Sequence, residues 1–376
     1  MKKKKIIKIM SIIGTRPEVI KMSPVINELK KIDNVICQVV CTGQHKEMLD
    51  PLLSLFNIKP DINLNIMTKN QSLSSLTGKL FTKIDKVIDK FRPDVVLVQG
   101  DTTTVMVISV VCFYKSVPIG HVEAGLRTGN LQEPFPEEFN RLLTSFVANW
   151  HFAPTKNAKK NLLKNGIDPK KIHITGNTVV DSLNIVQKDT KQLATNIVLN
   201  KKIILVTAHR RENFGKPIKN ICKALLKLAK LNKEICILYP VHPNPNIKKI
   251  VFKMLGNQPR IILTPPLDYQ KFISIMMESY CVLTDSGGVQ EEATTLGKPC
   301  FILRNNTERI ESISHKTSRL VGINCEHIFS IVQNFLSNNS SLKNVKTNPS
   351  LYGDGKAAHR IVKILVNSIF RDKSIK

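Results

Sequence analysis

The chain is predicted to be an α/β protein of two Rossmann-like domains, each a parallel sheet wound on both faces by helices, facing one another across a cleft. Three observations predict it. At 376 residues the chain exceeds the roughly 250 to 300 at which a single core stops growing. Short β-branched runs alternate with helix-length amphipathic stretches along nearly its whole length, which is how parallel α/β layers read in sequence. After an aperiodic stretch at 184–201 the alternation begins again, so there are two sheets.

The strands expected in the first half are 6–13, 35–41, 94–99, 117–122, 151–154 and 171–175, with helix-like segments between them. In the second half they are 202–208, 234–241, 260–264, 281–285 and 298–304. A last segment from Gly353, GDGKAAHRIVKILVNSIF, has apolar residues at helical spacing and closes the chain with a helix. The expected units are therefore 1–183, 184–352 and a terminal helix at 353–376. Doubly wound sheets bind ligands at the carboxyl ends of their strands, so chemistry is sought there.

Composition narrows the partners. Lysines and arginines number 56 against 29 acids, a net charge of +27, which suits a polyanionic partner. The lysines are scattered over ordinary helical stretches, however, and no zinc-finger, RRM or basic-zipper pattern accompanies them. A solvated lysine-rich surface is the expected reading, and nucleic acid is not an expected partner. The cysteines (Cys37, Cys41, Cys112, Cys222, Cys236, Cys281, Cys300, Cys325) contain no C-x-x-C pair and sit mostly in apolar runs, as buried free thiols do in a reducing compartment. The apolar start MKKKKIIKIMSIIG is interrupted by Lys8 and runs into Gly14-Thr15-Arg16-Pro17, so it reads as a first strand and not as a secretory leader. No run of about 18 apolar residues is present to span a bilayer, and a cytoplasmic location without membrane association is expected.

Charged groups recur where strands give way to helices. In GTRPEVIKMSP, Gly14 permits a tight turn, Thr15 caps a helix, Pro17 suits its first turn, Arg16 stands at the turn and Lys21 about one turn on. In VQGDTTTV, Asp101 follows a strand too apolar to be exposed; it either caps the next helix or faces a ligand. In HVEAGLRTGNLQEPFPEE four carboxylates gather in a basic chain: Glu123 at a strand end, Glu133, and Glu137 and Glu138 opening a helix, where the dipole alone favours acids. The dipole does not account for Glu123.

The second half carries the opposite charge. TAHRRENFG places His209, Arg210 and Arg211 directly after a strand, and YPVHPNPN places His242 likewise. TDSGGVQEEA is a strand end, a Ser286-Gly287-Gly288 turn and a helix start, where backbone N–H groups receive phosphate. Followed by the paired acids Glu291 and Glu292 and accompanied by HRRE, it points to a nucleoside diphosphate, with backbone and cations for the phosphates and a carboxylate for the ribose hydroxyls; the glycines form neither G-x-G-x-x-G nor a Walker loop, which disfavours NAD and ATP. A cationic half that holds a diphosphate and an acidic half that moves protons suit elimination or substitution at a sugar's anomeric carbon.

GTRPEVIKMSP, TGQHKEML, GDTTT, HVEAGLRTGNL, PFPEEFNR, HFAPT, TGNTVVDSL, TAHRREN, VHPNPN, TDSGGVQEEA and YGDGKAA together resemble the non-hydrolysing bacterial UDP-N-acetylglucosamine 2-epimerases from about residue 6 onward. The resemblance implies a GT-B-like fold whose last helix returns to the first domain, and a homodimer. It implies interconversion of UDP-GlcNAc and UDP-ManNAc through a 2-acetamidoglucal, without nicotinamide or metal, feeding surface polysaccharide. It matches Asp101, Glu123 and Glu137 to the family's catalytic acids, and Arg16, Lys21 and His209 to groups around the sugar and leaving diphosphate. Ser286, Gly287, Gly288 and Arg309 match diphosphate contacts, Glu292 the ribose contact and Phe272 a wall of the uracil pocket. Gln44, Glu138, Arg211 and His242 match a second, activating UDP-GlcNAc site. Near it Glu47 stands where glutamine is common and Asn70 where arginine is common, a charge change expected to weaken anion binding. The competing readings are a hydrolysing epimerase that releases free ManNAc and a GT-B glycosyltransferase.

Overall fold

A computed structural model describes residues 6–43, 46–68, 71–187, 201–337 and 351–374. In chain order the first elements are β1 (Ile7–Ile13), α1 (Arg16–Leu29), β2 (Val35–Cys41), α2 (Lys46–Leu55), β3 (Ile62–Asn63), α3 (Leu73–Phe91), β4 (Val95–Gln99), α4 (Thr103–Tyr114), β5 (Ile119–Val122), α5 (Glu137–Val147), β6 (Trp150–Ala153), α6 (Lys156–Lys164), β7 (Ile172–Ile174) and α7 (Thr178–Gln187). They continue with β8 (Lys202–Thr207), α8 (Lys216–Leu231), β9 (Ile235–Pro240), α9 (Pro245–Leu255), β10 (Ile261–Thr264), α10 (Tyr269–Glu278), β11 (Cys281–Thr284), α11 (Gly287–Thr295), β12 (Cys300–Ile302), α12 (Ile310–Ser314), β13 (Ser318–Leu320), α13 (Cys325–Leu336) and α14 (Ala357–Ser374).

The chain divides into two compact units, one running to Ser182 and resuming at Tyr352, the other Leu183–Leu351. Each is built on a parallel sheet. The first has the order β3-β2-β1-β4-β5-β6-β7 and the second β10-β9-β8-β11-β12-β13. In both, the order runs backward and then forward, so each sheet has one point where successive crossovers diverge: between β1 and β4 in the first, between β8 and β11 in the second. The loops at the strand ends part there and leave a crevice.

Local chemistry explains the layers. α3 buries Leu76, Leu80, Ile84 and Ile88, one every four residues, against Val96, Val98 and Ile12 of the sheet. Each such side chain contributes about 1.5–3 kcal/mol on leaving water. Ser72 caps the helix by accepting from Ser75 N–H at 3.1 Å, and Arg92 ends it in the left-handed region at φ +52°. In the second unit α8 turns Ile221, Leu225 and Leu228 onto Ile204, Val206 and Ile237.

The expected strands are all present to within a few residues, and two further ones occur, β3 and β13. These are edge strands of two and three residues with no apolar run, formed only because a neighbour offers them a ladder. The aperiodic connection at 184–201 is partly the end of α7; its positions 188–200 lie outside the described residues. All eight cysteines are free, six of them buried, and burial pushes the Cys112, Cys222 and Cys300 thiols up to about 12. No helix among the described residues is long and apolar enough to cross a membrane.

Two quoted motifs act as a clasp within the first unit. Gly176 and Gly353, both at positive φ, bring their chains so close that a Cβ on Gly176 would lie 3.3 Å from the Gly353 Cα. There Asn177 N–H donates to the Tyr352 carbonyl at 2.6 Å. The Asp181 carboxylate, on α7, accepts from Ala357 N–H at 3.3 Å and Ala358 N–H at 3.0 Å, the free donors that open α14. TGNTVVDSL and YGDGKAA thus tie the last helix to the first unit.

Candidate active site

In the first unit the acids and bases named from sequence lie at the ends of the central strands. Arg16, half-buried, opens α1 directly after β1. Asp101 follows β4, and Thr102, not Asp101, caps α4, accepting from Val105 N–H at 3.3 Å. The capping reading of Asp101 is therefore set aside. Its carboxylate instead receives Arg141 of α5 through Nε at 3.0 Å and Nη2 at 2.6 Å, while Asn140 donates to its carbonyl at 2.8 Å.

Glu123 follows β5, beside β4 in the sheet. Its backbone is left-handed at φ +66°, a conformation that costs a non-glycine residue about 1–3 kcal/mol and that clusters at functional sites. Its side chain is buried, ion-paired to Lys21 of α1 and bonded by Asn177 Nδ2 at 3.3 Å. The next turn is closed by Gly125, where φ is +93° and a Cβ would sit 2.3 Å from the Ala158 carbonyl oxygen. Two cis peptide bonds, Glu133–Pro134 and Phe135–Pro136, lead into α5 at Glu137.

Glu138, matched to the second nucleotide-sugar site, is fully buried and used within the unit. It accepts from Thr128 N–H at 3.1 Å, Gly129 N–H at 3.0 Å and Arg141 Nη1 at 2.9 Å. Gln44 and Asn70 lie outside the described residues, as does the side chain of Glu47.

In the second unit His209 and Arg210 follow β8, and the buried Asp285 and then Ser286 follow β11, at the point where the crossovers diverge. Ser286 stands at the cap of α11, with Gly287 and Gly288 in its first turn. The Arg309 guanidinium packs on Gly287 so tightly that a Cβ there would be 2.3 Å from Nη1, which explains why that position is glycine. Arg309 is held by Glu291 at 2.6 Å and by Glu308, and Glu308 is in turn bridged to Arg304 at 3.0 Å. Glu292 accepts from the Tyr269 hydroxyl at 2.9 Å, with Phe272 buried on the same helix, α10. The His242 ring stacks on the His209 ring, centroids 5.3 Å apart, which places a residue matched to the second site against one matched to the first. Arg211 is exposed two residues beyond His209.

Sequence reasoning passed over four buried groups that organise these ends: Glu18, Arg141, Asn177 and Asp285. Glu18 was legible in part, since T-x-x-E is a capping box; the others make contacts across 40 or more positions that no local pattern announces. Glu18 Oε2 accepts from Gly14 N–H at 2.5 Å and Thr15 N–H at 2.8 Å, and Oε1 from the Thr102 hydroxyl at 2.7 Å. It joins the turn after β1 to the turn after β4, the two walls of the crevice. Among the described residues no group of three or more His, Cys, Asp or Glu is placed to hold a metal ion.

Burial pushes the Glu18 carboxyl up from 4.5 to about 7, against its hydrogen bonds, and pushes His121 and His151, register partners on β5 and β6, down from 6.5 to about 4 and about 3. The signs oppose. Between pH 5 and 6 the unfolded chain binds the two histidine protons that the folded chain does not, so those groups lose stability as pH falls; folded Glu18 holds a proton that the unfolded chain has released, so it gains. For these three groups two against one leaves about one proton taken up on unfolding, a contribution of about 1.4 kcal/mol lost from pH 6 to 5; His173, also held below its ordinary value by burial, adds in the same direction, and Asp181, held above its own, opposes. Urea midpoints at the two pH values measure this. Glu18→Gln, which removes the opposing contribution, should roughly double the fall; an unchanged slope would show that Glu18 is ionised throughout.

Two Rossmann-type parallel sheets, each with charged side chains and helix starts gathered at its crossover point, place the chain in the GT-B-like class of α/β proteins. The family model for UDP-N-acetylglucosamine 2-epimerase matches residues 27–366, and the chain belongs to that family of isomerases. It is 44% identical over 368 residues to the UDP-N-acetylglucosamine 2-epimerase of Salmonella typhimurium, covering 95% of this chain and 98% of that one. The crystal structure of UDP-GlcNAc 2-epimerase from Neisseria meningitidis, bound to UDP-GlcNAc, superposes with a TM-score of 0.92 at 43% identity, covering 96% and 100% of the two chains. The Methanocaldococcus jannaschii UDP-GlcNAc 2-epimerase, in complex with UDP-GlcNAc and UDP, gives 0.87 at 36% identity, covering 96% and 100%.

Proposed function

We propose that the chain interconverts UDP-GlcNAc and UDP-ManNAc without hydrolysis, supplying ManNAc-type sugars for surface polysaccharide. The observation that carries this is the gathering of Asp101 and Glu123 at the ends of adjacent strands with Glu137 opening α5, in a chain whose other unit presents Ser286, Gly287, Gly288 and Arg309 at a helix start. The ligands of the Neisseria and Methanocaldococcus relatives support the choice of nucleotide sugar.

In the proposed reaction one carboxylate takes the carbon-2 proton while the bond from carbon-1 to the UDP oxygen breaks, giving a 2-acetamidoglucal and UDP. A second group returns a proton to carbon-2 on the opposite face, and UDP adds back at carbon-1. Two faces require two proton-handling groups, because one carboxylate does not reach both sides of a ring. Arg16, Lys21 and His209 offset charge as UDP departs, Arg309 and the α11 start hold the diphosphate, Glu292 the ribose and Phe272 the uracil. No nicotinamide or metal enters this scheme.

Epimerisation in deuterated water tests the reading. Both UDP-HexNAc epimers should acquire deuterium at carbon-2 with nothing added but substrate, and proton NMR of the products should find UDP-ManNAc, not free ManNAc. Epimers that remain protonated at carbon-2 would exclude the elimination, and free sugar would assign the hydrolysing reaction.

A homodimer belongs to the same proposal. Phe113 and Tyr114 at the end of α4 and Phe139 and Phe146, two turns apart on α5, are exposed on two helices that pack together. Four large exposed apolar side chains on one pair of packed helices support an interface there. Light scattering should give twice the chain mass, and Phe146→Asp with Phe139→Asp should give the monomer; a monomeric parent chain would remove the dimer from the proposal.

A further inference from the structure

Asp285 is used in a way that neither the nucleotide-sugar reading nor the phosphate-cradle reading of TDSGG requires. It is fully buried at the end of β11. One carboxylate oxygen, Oδ2, accepts three hydrogen bonds from the segment after β8: His209 N–H at 2.8 Å, Arg210 N–H at 2.9 Å and Asn213 Nδ2 at 2.8 Å. The other, Oδ1, is buried without a hydrogen bond and lies 3.7 Å from His209 Nδ1. That oxygen is too far for a hydrogen bond as it stands and within reach of one after a small rotation of the ring. One face of the ring is covered by His242, whose own Nδ1 accepts from Asn244 N–H at 3.2 Å and is thereby fixed.

We propose that Asp285 is the positioning residue for His209: Oδ2 anchors the turn that carries the histidine, and Oδ1 keeps a proton on Nδ1, leaving Nε2 as the nitrogen presented to the ligand. A buried carboxylate beside an imidazole sets which ring nitrogen is protonated and how the ring is turned, without itself taking up the proton. With Nδ1–H facing Asp285, a ring that also carries a proton on Nε2 donates it to a diphosphate oxygen with its charge already compensated. No bond is made or broken at Asp285. The inference rests on the assignment of His209 to the leaving diphosphate.

Asp285→Asn separates the two parts of the role. The amide oxygen in the place of Oδ2 still receives the three donors, so the turn stays; the amide NH₂ in the place of Oδ1 donates toward Nδ1 and forces the ring proton onto Nε2. The expected result is a fall of about 10²-fold in kcat with a much smaller change in KM. In the double variant Asp285→Asn, His209→Gln, turnover should be no lower than in His209→Gln alone, because a residue that acts through His209 has nothing left to position. Additive losses, or near-normal turnover of Asp285→Asn beside a crippled His209→Gln, would overturn the proposal and leave the role of His209 intact. Near-normal turnover of His209→Gln would overturn both. If Asp285→Asn does not fold, the parent protein decides: with ¹⁵N-histidine labelling and His209→Gln to assign the signal, long-range ¹H–¹⁵N spectra should show His209 protonated at Nδ1, and a bare Nδ1 would refute the proposal.

Discussion

Glu123→Gln should lower turnover by about 10²- to 10⁴-fold while UDP still binds, the range expected when a proton-handling side chain is replaced by its amide. The amide keeps the shape and one acceptor oxygen for Lys21 and Asn177, but it loses the capacity to take a proton and leaves the buried Lys21 ammonium without its counter-charge, so a loss of stability accompanies the loss of rate. Asp101→Asn and Glu137→Gln should fall into the same range. In Asp101→Asn the two bonds from Arg141 lose the acceptor's negative charge as well, so a modest loss of stability accompanies the loss of rate. Initial rates from UDP-GlcNAc and calorimetric titration with UDP separate chemistry from binding. Near-normal turnover of Glu123→Gln would show that the left-handed strand end presents a structural carboxylate and not a reacting one.

Lys21→Met should destabilise the chain by about 3–5 kcal/mol, because it leaves the Glu123 carboxylate buried after taking away its cation. Both side chains are about 95% buried, at 4% and 5% exposure, so screening by water and salt, which makes surface pairs worth little, does not apply. The double variant Lys21→Met, Glu123→Gln removes both charges and should recover most of the stability while remaining inactive. Urea unfolding followed by circular dichroism measures the three chains. A Lys21→Met midpoint equal to that of the parent would mean that Glu123 does not depend on Lys21 for its charge. Recovery of stability without recovery of rate would separate the two roles: the charges cost stability only when one is left alone, whereas the reaction needs the Glu123 carboxylate itself.

Strand ends could be found from sequence because they are local events. An apolar run such as VVLV stops, Gly100 and Asp101 interrupt it, and threonines start a helix; the same grammar exposed Glu123, His209 and Ser286. The edge strands β3 and β13 were invisible because two or three residues carry no periodicity of their own. Asp101 shows how far the local reading goes: position was legible, the choice between capping and another use was not, because the side chain that claims the carboxylate, Arg141, arrives from 40 residues away.

By itself the sequence determined that this is a doubly wound α/β chain of two sheets, where their strands end, and the family to which it belongs, since turn residues, periodicity and joint motifs are properties of neighbours along the chain. Only the tertiary structure decided that Glu18 joins the β1 and β4 turns, that Lys21 neutralises Glu123, that Gly176 meets Gly353 and that Asp285 holds the segment of His209. Such pairings depend on which strands become neighbours. Crossovers of a dozen or more residues bring buried carboxylates to backbone N–H groups separated by 70 to 180 positions, as Asp285 and His209 or Asp181 and Ala358 are, and burial then makes each unpaired charge costly enough that its partner is obligatory.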